Sequence, residues 1–210
     1  MTPAGAAEEP PRGAAATDAP ATNAAAGPTP DPLSLLDRVD HWLDETVEVH
    51  LRGNPIADRV FYTASAVGDH GLIWLILADV VALRSDDGWR SAVRTAAALG
   101  VESLVVNGPV KWIFRRQRPI RPDMAPLPLR HPRTSSFPSG HATSAFCAAT
   151  LLSDTDPRRR PLYFALAAVI AWSRVHVRLH HASDVLGGAV IGLALGRLAA
   201  RLAPLNRGRG

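Results

Sequence analysis

Apolar stretches between residues 67 and 203 constrain the fold of this 210-residue chain more than any other feature. They do not alternate apolar and polar residues as half-buried β-strands do. Most approach the roughly 20 residues that a transmembrane helix needs, and the first does so only if residues 67–71 extend it. The sequence therefore predicts an all-α fold, an integral membrane helical bundle of five to six transmembrane helices. The stretches comprise residues 71–83, 94–114, 137–152, 162–177 and 185–203.

The last apolar stretch contains a regular row of glycines, Gly188, Gly192 and Gly196, spaced four residues apart. Glycine lowers helix propensity, so its repetition within a helix needs a reason. Small residues at this spacing let a neighbouring membrane helix approach closely. The row therefore predicts a tight contact between two helices of the bundle.

The N-terminal part of the chain differs in composition from the rest. Residues 1–31 contain no aromatic or branched aliphatic residue, and no basic start followed by an apolar run. We predict a disordered tail without a signal peptide, because such a segment cannot bury enough apolar surface to offset the entropy of ordering. Residues 32–67 place apolar residues at helical spacing and predict amphipathic helices on the membrane surface or against the bundle. Residues 68–205 are predicted to form the membrane domain.

The composition excludes several classes of function. The formal net charge is +4, but 22 of the 23 basic residues are arginine and no nucleic-acid-binding motif is present. We therefore expect no nucleic acid partner. Cys147 is the only cysteine, which rules out an intrachain disulfide and a cysteine metal cluster. The only lysine, Lys111, lies in a motif described below.

Titratable residues are concentrated directly after one apolar stretch, in the segment WSRVHVRLHHASD of residues 172–184. If the turn around His180 is helical, His180 and Asp184 lie on one face. The carboxylate can then accept a hydrogen bond from one imidazole nitrogen and leave the other as a nucleophile or base. Arg174 adds a planar, permanently charged fork suited to phosphate.

Two further stretches carry residues suited to binding an anion. KWIFRRQRP at residues 111–119 is strongly basic. Pro138, Ser139, Gly140 and His141 precede an apolar run and read as a helix start, where free N–H groups favour anions. Glycine there permits close approach of a phosphate. Taken alone, this second motif is equally compatible with an ordinary junction between a loop and a helix.

Taken in the order of the chain, the three stretches resemble the signature of the type 2 phosphatidic acid phosphatases. These are membrane lipid phosphatases that share their pocket with vanadium haloperoxidases. The signature is lysine, six residues, arginine-proline; proline-serine-glycine-histidine; and serine-arginine, five residues, histidine, three residues, aspartate. The ordered triple is far more specific than any one part, and no position departs from it. The matching residues are Lys111, Arg118 and Pro119; Pro138, Ser139, Gly140 and His141; and Ser173, Arg174, His180 and Asp184.

The resemblance implies a role for each of these residues. His180 would attack phosphorus, Asp184 would orient it, and His141 would protonate the departing alkoxide. It also implies hydrolysis without a metal ion or cofactor, through a phosphohistidine intermediate. The implied phosphate-binding residues are Lys111, Arg118, Ser139, Gly140 and Arg174.

The expected activity is therefore that of a membrane lipid phosphatase. Its substrate would be a phosphomonoester or pyrophosphate of a lipid, phosphatidate-like or polyprenyl. A lipid-linked phosphotransferase would use the same pocket and stays an open alternative. A haloperoxidase and a non-catalytic scaffold fit the apolar segments and the intact signature less well.

Several polar residues near the motifs have more than one interpretation. His176 and His180 are four apart, a spacing compatible with a metal site, although no acidic or cysteine cluster completes it. Asp69 could face the substrate, but it is expected to act at an interface or in support of the site, as are His70, His176 and His181. Residues 120–137 are expected to roof the pocket and select the head group. Arg115, Arg116 and Arg121 are read as interfacial residues that extend toward the headgroups.

Arginine clusters predict the orientation in the cell membrane. Those around residues 84–94, 158–160 and 207–209 would share one side if the helices alternate, and the positive-inside rule makes that side cytoplasmic. The three motifs would then face outward. The connection between residues 115 and 133 is also rich in arginine, which opposes this orientation unless phosphate binding accounts for part of the charge.

Overall fold

A computed structural model describes residues 34–84, 88–119 and 134–205 of the chain. Over these residues the structure is all-helical and contains no strand, as predicted. The predicted disordered tail and most of the predicted pocket roof lie outside the described residues. The helices are α1 (Leu35–His50), α2 (Pro55–Val67), α3 (Leu72–Ala82), α4 (Gly88–Val105), α5 (Lys111–Phe114), α6 (Gly140–Thr155), α7 (Arg160–His176) and α8 (Ala182–Leu202).

The two predicted amphipathic helices are present as α1 and α2, and each begins at a side-chain cap. Ser34 Oγ accepts a hydrogen bond of 3.1 Å from the Asp37 N–H at the start of α1. Asn54 Oδ1 accepts from the N–H groups of Ile56 and Ala57 at 3.0 and 3.2 Å. These bonds satisfy donors that have no partner within the first turn of a helix.

The chain bends sharply between α2 and α3. A short 3₁₀ turn at Asp69–Gly71 separates them, and the two helices are inclined by 59°. The prediction that residues 67–71 lengthen the first apolar helix is therefore wrong, because Gly71 adopts a left-handed backbone conformation that ends any continuous helix. By length and composition, α8 is the one described helix able to cross a membrane, and α2 with α3 meet the same criterion together.

The predicted helix over residues 94–114 is also interrupted. A π-helical segment, Val106–Val110, separates α4 from α5 and contains Gly108 and Pro109. Proline removes a backbone donor and glycine tolerates the distorted backbone, which explains a break at this place. Lys111 follows the break directly, so its side chain is placed independently of the face that α4 presents to the bundle.

The helix α6 lies at the centre of the described bundle and packs mainly on α7 and α8. The predicted glycine row makes this contact. A Cβ added at Gly188, Gly192 or Gly196 would lie 2.6, 2.3 and 2.9 Å from a carbonyl oxygen of α6 or of its cap. No side chain fits in that space, so the glycines allow two helix backbones to pack against each other.

The end of the bundle opposite the motifs is tied by Arg94. It donates to Asp154 Oδ2 at 2.8 Å and to the backbone oxygens of Ala203 and Leu151, both at 3.3 Å. Only 6% of Arg94 is exposed. It therefore joins α4, α6 and the end of α8, and is not the free flanking charge that the arginine count assumed.

The three motifs lie together at the end of the bundle opposite Arg94. The end of α5, the start of α6 and the connection from α7 to α8 meet there. The Ser139 N–H donates to the Asp184 backbone oxygen at 3.0 Å, which joins the beginnings of α6 and α8.

Candidate active site

One cavity of about 400 Å³ receives residues from all three motifs. Its wall includes two of the predicted catalytic residues, His141 and His180, and four of the predicted phosphate-binding residues. The structure therefore brings together side chains that lie far apart in the sequence. The four phosphate-binding residues on the wall are Lys111, Arg118, Gly140 and Arg174.

His180 lies in the connection between α7 and α8, not on a helix, so the proposed shared helical face with Asp184 is wrong. Its Nδ1 lies 3.7 Å from Asp184 Oδ2, beyond hydrogen-bonding distance. Its Nε2 lies 3.1 Å from an Arg118 nitrogen. Because a guanidinium only donates, Nε2 must accept, and the imidazole proton belongs on Nδ1, toward Asp184.

Burial, with a smaller effect of the nearby Arg118 and Arg174, lowers the pKa of His180 to about 3 against the opposing effect of Asp184. The imidazole is therefore neutral at physiological pH, as a nucleophilic nitrogen must be. Only 3% of the residue is exposed.

Asp184, in the first turn of α8, is fully buried and bonded on both carboxylate oxygens. Oδ2 accepts from Ser136 Oγ at 2.5 Å and from the His181 N–H at 2.9 Å. Oδ1 accepts from Arg116 at 2.7 Å. These bonds hold the carboxylate in one orientation beside His180.

The position of Arg116 corrects the sequence interpretation, which placed it at the membrane interface. Its guanidinium donates to Asp184 and, at 2.8 Å, to Oδ2 of the buried Asp40 on α1. Asp40 in turn accepts from the Ser183 N–H at 2.8 Å. Helical periodicity does contain a signal for this contact, since Asp40 lies among the apolar residues of α1. By contrast, the neighbouring Arg115 is exposed and lies over Trp112.

His141, on the first turn of α6, pairs with an acidic residue from the α2–α3 turn. Its Nε2 lies 3.1 Å from Asp69 Oδ1 and 3.3 Å from the Ser65 backbone oxygen. The hydrogen bond from His141 holds the pKa of Asp69 below its usual value despite partial burial. Asp69 therefore carries a negative charge beside His141, and it supports that histidine from a distant part of the sequence.

The cationic residues are each positioned by polar neighbours. Lys111 Nζ donates to Asn107 Oδ1 at 2.9 Å, across the π-helical break. Arg118 donates to the backbone oxygens of Leu179 and Ser135 at 2.6 and 3.1 Å. Arg174 donates to the Ser65 hydroxyl. Three positive groups thus face one cavity, which suits an oxyanion.

The two small residues of the second motif differ in position. Gly140 lines the cavity, and a Cβ at this residue would lie 3.4 Å from Asn107 Oδ1. Ser139 is fully buried, and its hydroxyl caps α6 by accepting from the Ala142 N–H at 3.5 Å. Its expected contact with phosphate stays a prediction.

The structure does not support the alternative of a metal site at His176 and His180. His176 is buried and its Nε2 lies 2.7 Å from Asp58 Oδ1, with its ring packed on Phe61. Within the described ranges, no group of three His, Cys, Asp or Glu side chains is placed to hold a metal ion.

Comparison with known proteins decides the family. Residues 91–207 match the PAP2 superfamily. The chain belongs to this superfamily. It is 35% identical over 144 residues to the decaprenylphosphoryl-5-phosphoribose phosphatase of Mycolicibacterium smegmatis, a match that covers 68% of this chain and 77% of that protein. It is 36% identical over 111 residues to the putative undecaprenyl-diphosphatase YbjG of Escherichia coli, covering 52% and 55%.

The fold of this PAP2 protein has a solved counterpart. The transmembrane PAP2-type phosphatidylglycerolphosphate phosphatase of Bacillus subtilis superposes with a TM-score of 0.64 at 23% identity, covering 84% of this chain and 90% of that one. Membership of the superfamily, together with these relatives, makes the chain a membrane protein and a phosphatase. The expected all-α membrane fold and the expected phosphatase class are confirmed, and the number of membrane crossings stays a prediction.

Proposed function

We propose that this PAP2 protein removes phosphate from a lipid phosphomonoester or diphosphate through a phosphohistidine at His180. One observation carries the proposal: His180 Nε2 accepts from Arg118 and Nδ1 faces Asp184, so the lone pair points toward the cationic groups. The names of the relatives, which refer to a polyprenyl-linked phosphosugar and to undecaprenyl diphosphate, support a lipid phosphate as substrate.

In the first step, a phosphoryl oxygen displaces Nε2 of His180 from its bond with Arg118. Nε2 then attacks phosphorus, a P–N bond forms, and the P–O bond to the leaving group breaks. The Nδ1 proton stays on the ring, where Asp184 stabilises the imidazolium that develops. Lys111, Arg118 and Arg174 stabilise the charge on the phosphoryl oxygens.

His141 supplies the proton that the leaving oxygen needs. Its Nε2 is directed to Asp69, which leaves Nδ1 for the leaving group. In the second step a water molecule attacks phosphorus, gives a proton back to His141, and breaks the P–N bond. Inorganic phosphate leaves and both histidines return to their first state. An alcohol in place of water would make the enzyme a phosphotransferase.

The test compares two substrates with leaving groups of different basicity. His180→Ala should abolish both phosphate release and the covalent attachment of a phosphoryl group to the enzyme. His141→Ala should lose roughly a hundredfold or more on a lipid phosphate, but much less on nitrophenyl phosphate, whose leaving group is stable without a proton. Equal losses would contradict the role of His141. Activity should survive EDTA, and phosphate transfer to an added alcohol instead of release would favour the phosphotransferase.

We also propose a topology of five membrane crossings: α3, α4 with α5, α6, α7 and α8. The amphipathic α1 and α2 of residues 32–67 would then lie at the outer surface, beside the site, with residues 68–205 as the membrane domain. Exposed apolar side chains on α1, such as Trp42 at 62%, support contact with lipid. In intact cells an impermeant thiol reagent should label Gln117→Cys and spare Arg159→Cys. The reverse pattern would place the site in the cytoplasm.

A further inference from the structure

The cavity extends beyond the phosphate-binding residues. Besides His180 and the cationic groups, its wall includes Asp69, Glu102, Ser103 and Ser144. Ser144 lies one helical turn after His141 on α6, and Glu102 lies on the facing helix α4. This part of the wall is polar and acidic, whereas the phosphate-binding part is cationic. The cavity therefore offers both cationic and acidic groups, which suit chemically different portions of one ligand.

Glu102 is the unusual member of this wall. Only 3% of the residue is exposed, yet its Oε1 has no hydrogen-bond partner among the described residues. Burial of a carboxylate without a partner is costly, and an ionisable residue inside a membrane bundle usually serves a function. A bound ligand could therefore supply the hydrogen-bond partner that Glu102 Oε1 lacks.

The position of Glu102 disfavours phosphate as that ligand, because carboxyl and phosphate oxygens are both hydrogen-bond acceptors and repel each other when both are charged. It favours a hydroxyl donor. An in-line displacement places the leaving oxygen opposite the attacking nitrogen, so the leaving group extends from His180 toward His141. His141 and Glu102 line the same cavity. The group attached to the departing oxygen is therefore the part of the substrate that reaches this acidic wall.

We propose that Glu102, assisted by Ser144, accepts a hydrogen bond from a hydroxyl of the leaving group. The substrate is then a lipid whose phosphate is a monoester on a hydroxyl-bearing head group, either a sugar or glycerol. A lipid diphosphate is disfavoured, because its leaving group is itself a phosphate and would meet the carboxylate. This inference rests on the proposed function and selects one substrate class within it.

The experiment measures kcat/KM for phosphate release from five substrates in detergent. Two are phosphomonoester lipids with a pentose or glycerol head group, and two are their deoxy analogues that lack the neighbouring hydroxyl. The fifth is a polyprenyl diphosphate. The wild-type enzyme should prefer the hydroxylated lipid over its deoxy analogue by about tenfold or more, the value of a hydrogen bond to a charged group. The pentose and glycerol pairs distinguish the two head groups.

Glu102→Gln should reduce the ratio of kcat/KM between hydroxylated and deoxy lipids toward one. It should also reduce the difference in kcat/KM between the hydroxylated lipids and the polyprenyl diphosphate. Asp79→Asn is the matched control, since it removes an exposed carboxylate on α3 that does not line the cavity. Should Glu102→Gln fail to fold, Ser144→Ala should lower the same ratio by a smaller factor. Equal losses on hydroxylated and deoxy lipids, or a wild-type preference for the diphosphate, would overturn the inference. No phosphate release even from nitrophenyl phosphate would instead refute the proposed function itself.

Discussion

The guanidinium of Arg116 bridges two buried carboxylates, Asp184 at 2.7 Å and Asp40 at 2.8 Å. Asp184 is the proposed partner of the nucleophile, and Asp40 belongs to α1, 76 residues before Arg116. A planar fork can serve both acceptors at once, which an ammonium group on a flexible stem cannot do in the same geometry. The orientation of Asp184 therefore depends on a helix outside the three motifs.

Replacement of Arg116 by lysine should lower kcat by about tenfold with little change in KM, because the charge is kept and the two-acceptor geometry is lost. The matched control is Arg115→Lys, since Arg115 is exposed and bonds only within its own turn among the described residues. It should change kcat less than twofold. Initial rates on nitrophenyl phosphate, with thermal midpoints to verify folding, measure both. Equal effects of the two variants would contradict a positioning role.

Asp69→Asn should weaken the enzyme selectively on substrates with a basic leaving group. The carboxylate stabilises the protonated form of His141, so its loss should reduce proton donation by roughly tenfold or more. The loss on nitrophenyl phosphate should be smaller, and the double variant with His141→Ala should be no worse than His141→Ala alone. Asp58→Asn, which alters the separate His176–Asp58 pair, should leave the ratio between the two substrates unchanged. Additive effects of Asp69 and His141 would argue against their coupling.

Stability should fall in acid because of His180. The folded protein keeps this imidazole neutral down to a pKa of about 3, whereas the unfolded chain binds a proton below about 6.5. The unfolded state thus holds more protons between these values, and stability rises with pH across that window. At pH 5.5 the contribution is about 1.4 kcal/mol relative to neutral pH. Thermal midpoints in detergent should drop less between pH 7.5 and 5.5 for His180→Gln than for wild type; identical drops would contradict the assignment.

The glycine row offers a test of packing. A methyl group at Gly192 would lie 2.3 Å from the Thr143 backbone oxygen, so Gly192→Ala must separate α6 from α8. We expect a loss of about 1–3 kcal/mol and a lower thermal midpoint. Gly100→Ala is the matched control, because no atom lies within 4 Å of its added Cβ and alanine favours the helix by about 0.5–1 kcal/mol. If Gly100→Ala also destabilises the protein, the loss caused by Gly192→Ala cannot be assigned to the contact between α6 and α8.

Apolar periodicity and three short motifs predict the positions of the helices and the shared location of the charged residues. They miss the breaks at Gly71 and Gly108, because hydrophobicity continues through both. They also misplace Arg116, since its surroundings come from α1 and α8 and not from its own segment. They do not predict the pairing of His141 with Asp69, because no local spacing connects residues 72 positions apart.

The contacts from the first two helices have a consequence for exchanging parts between relatives. The region that matches the PAP2 superfamily begins at residue 91. Asp40, Asp58, Ser65 and Asp69 lie before it, and they bond respectively to Arg116, His176, Arg174 and His141 within it. A chimera that swaps only the matching region would separate four polar side chains from their counterparts. A functional exchange must therefore carry residues 35–71 together with the motifs.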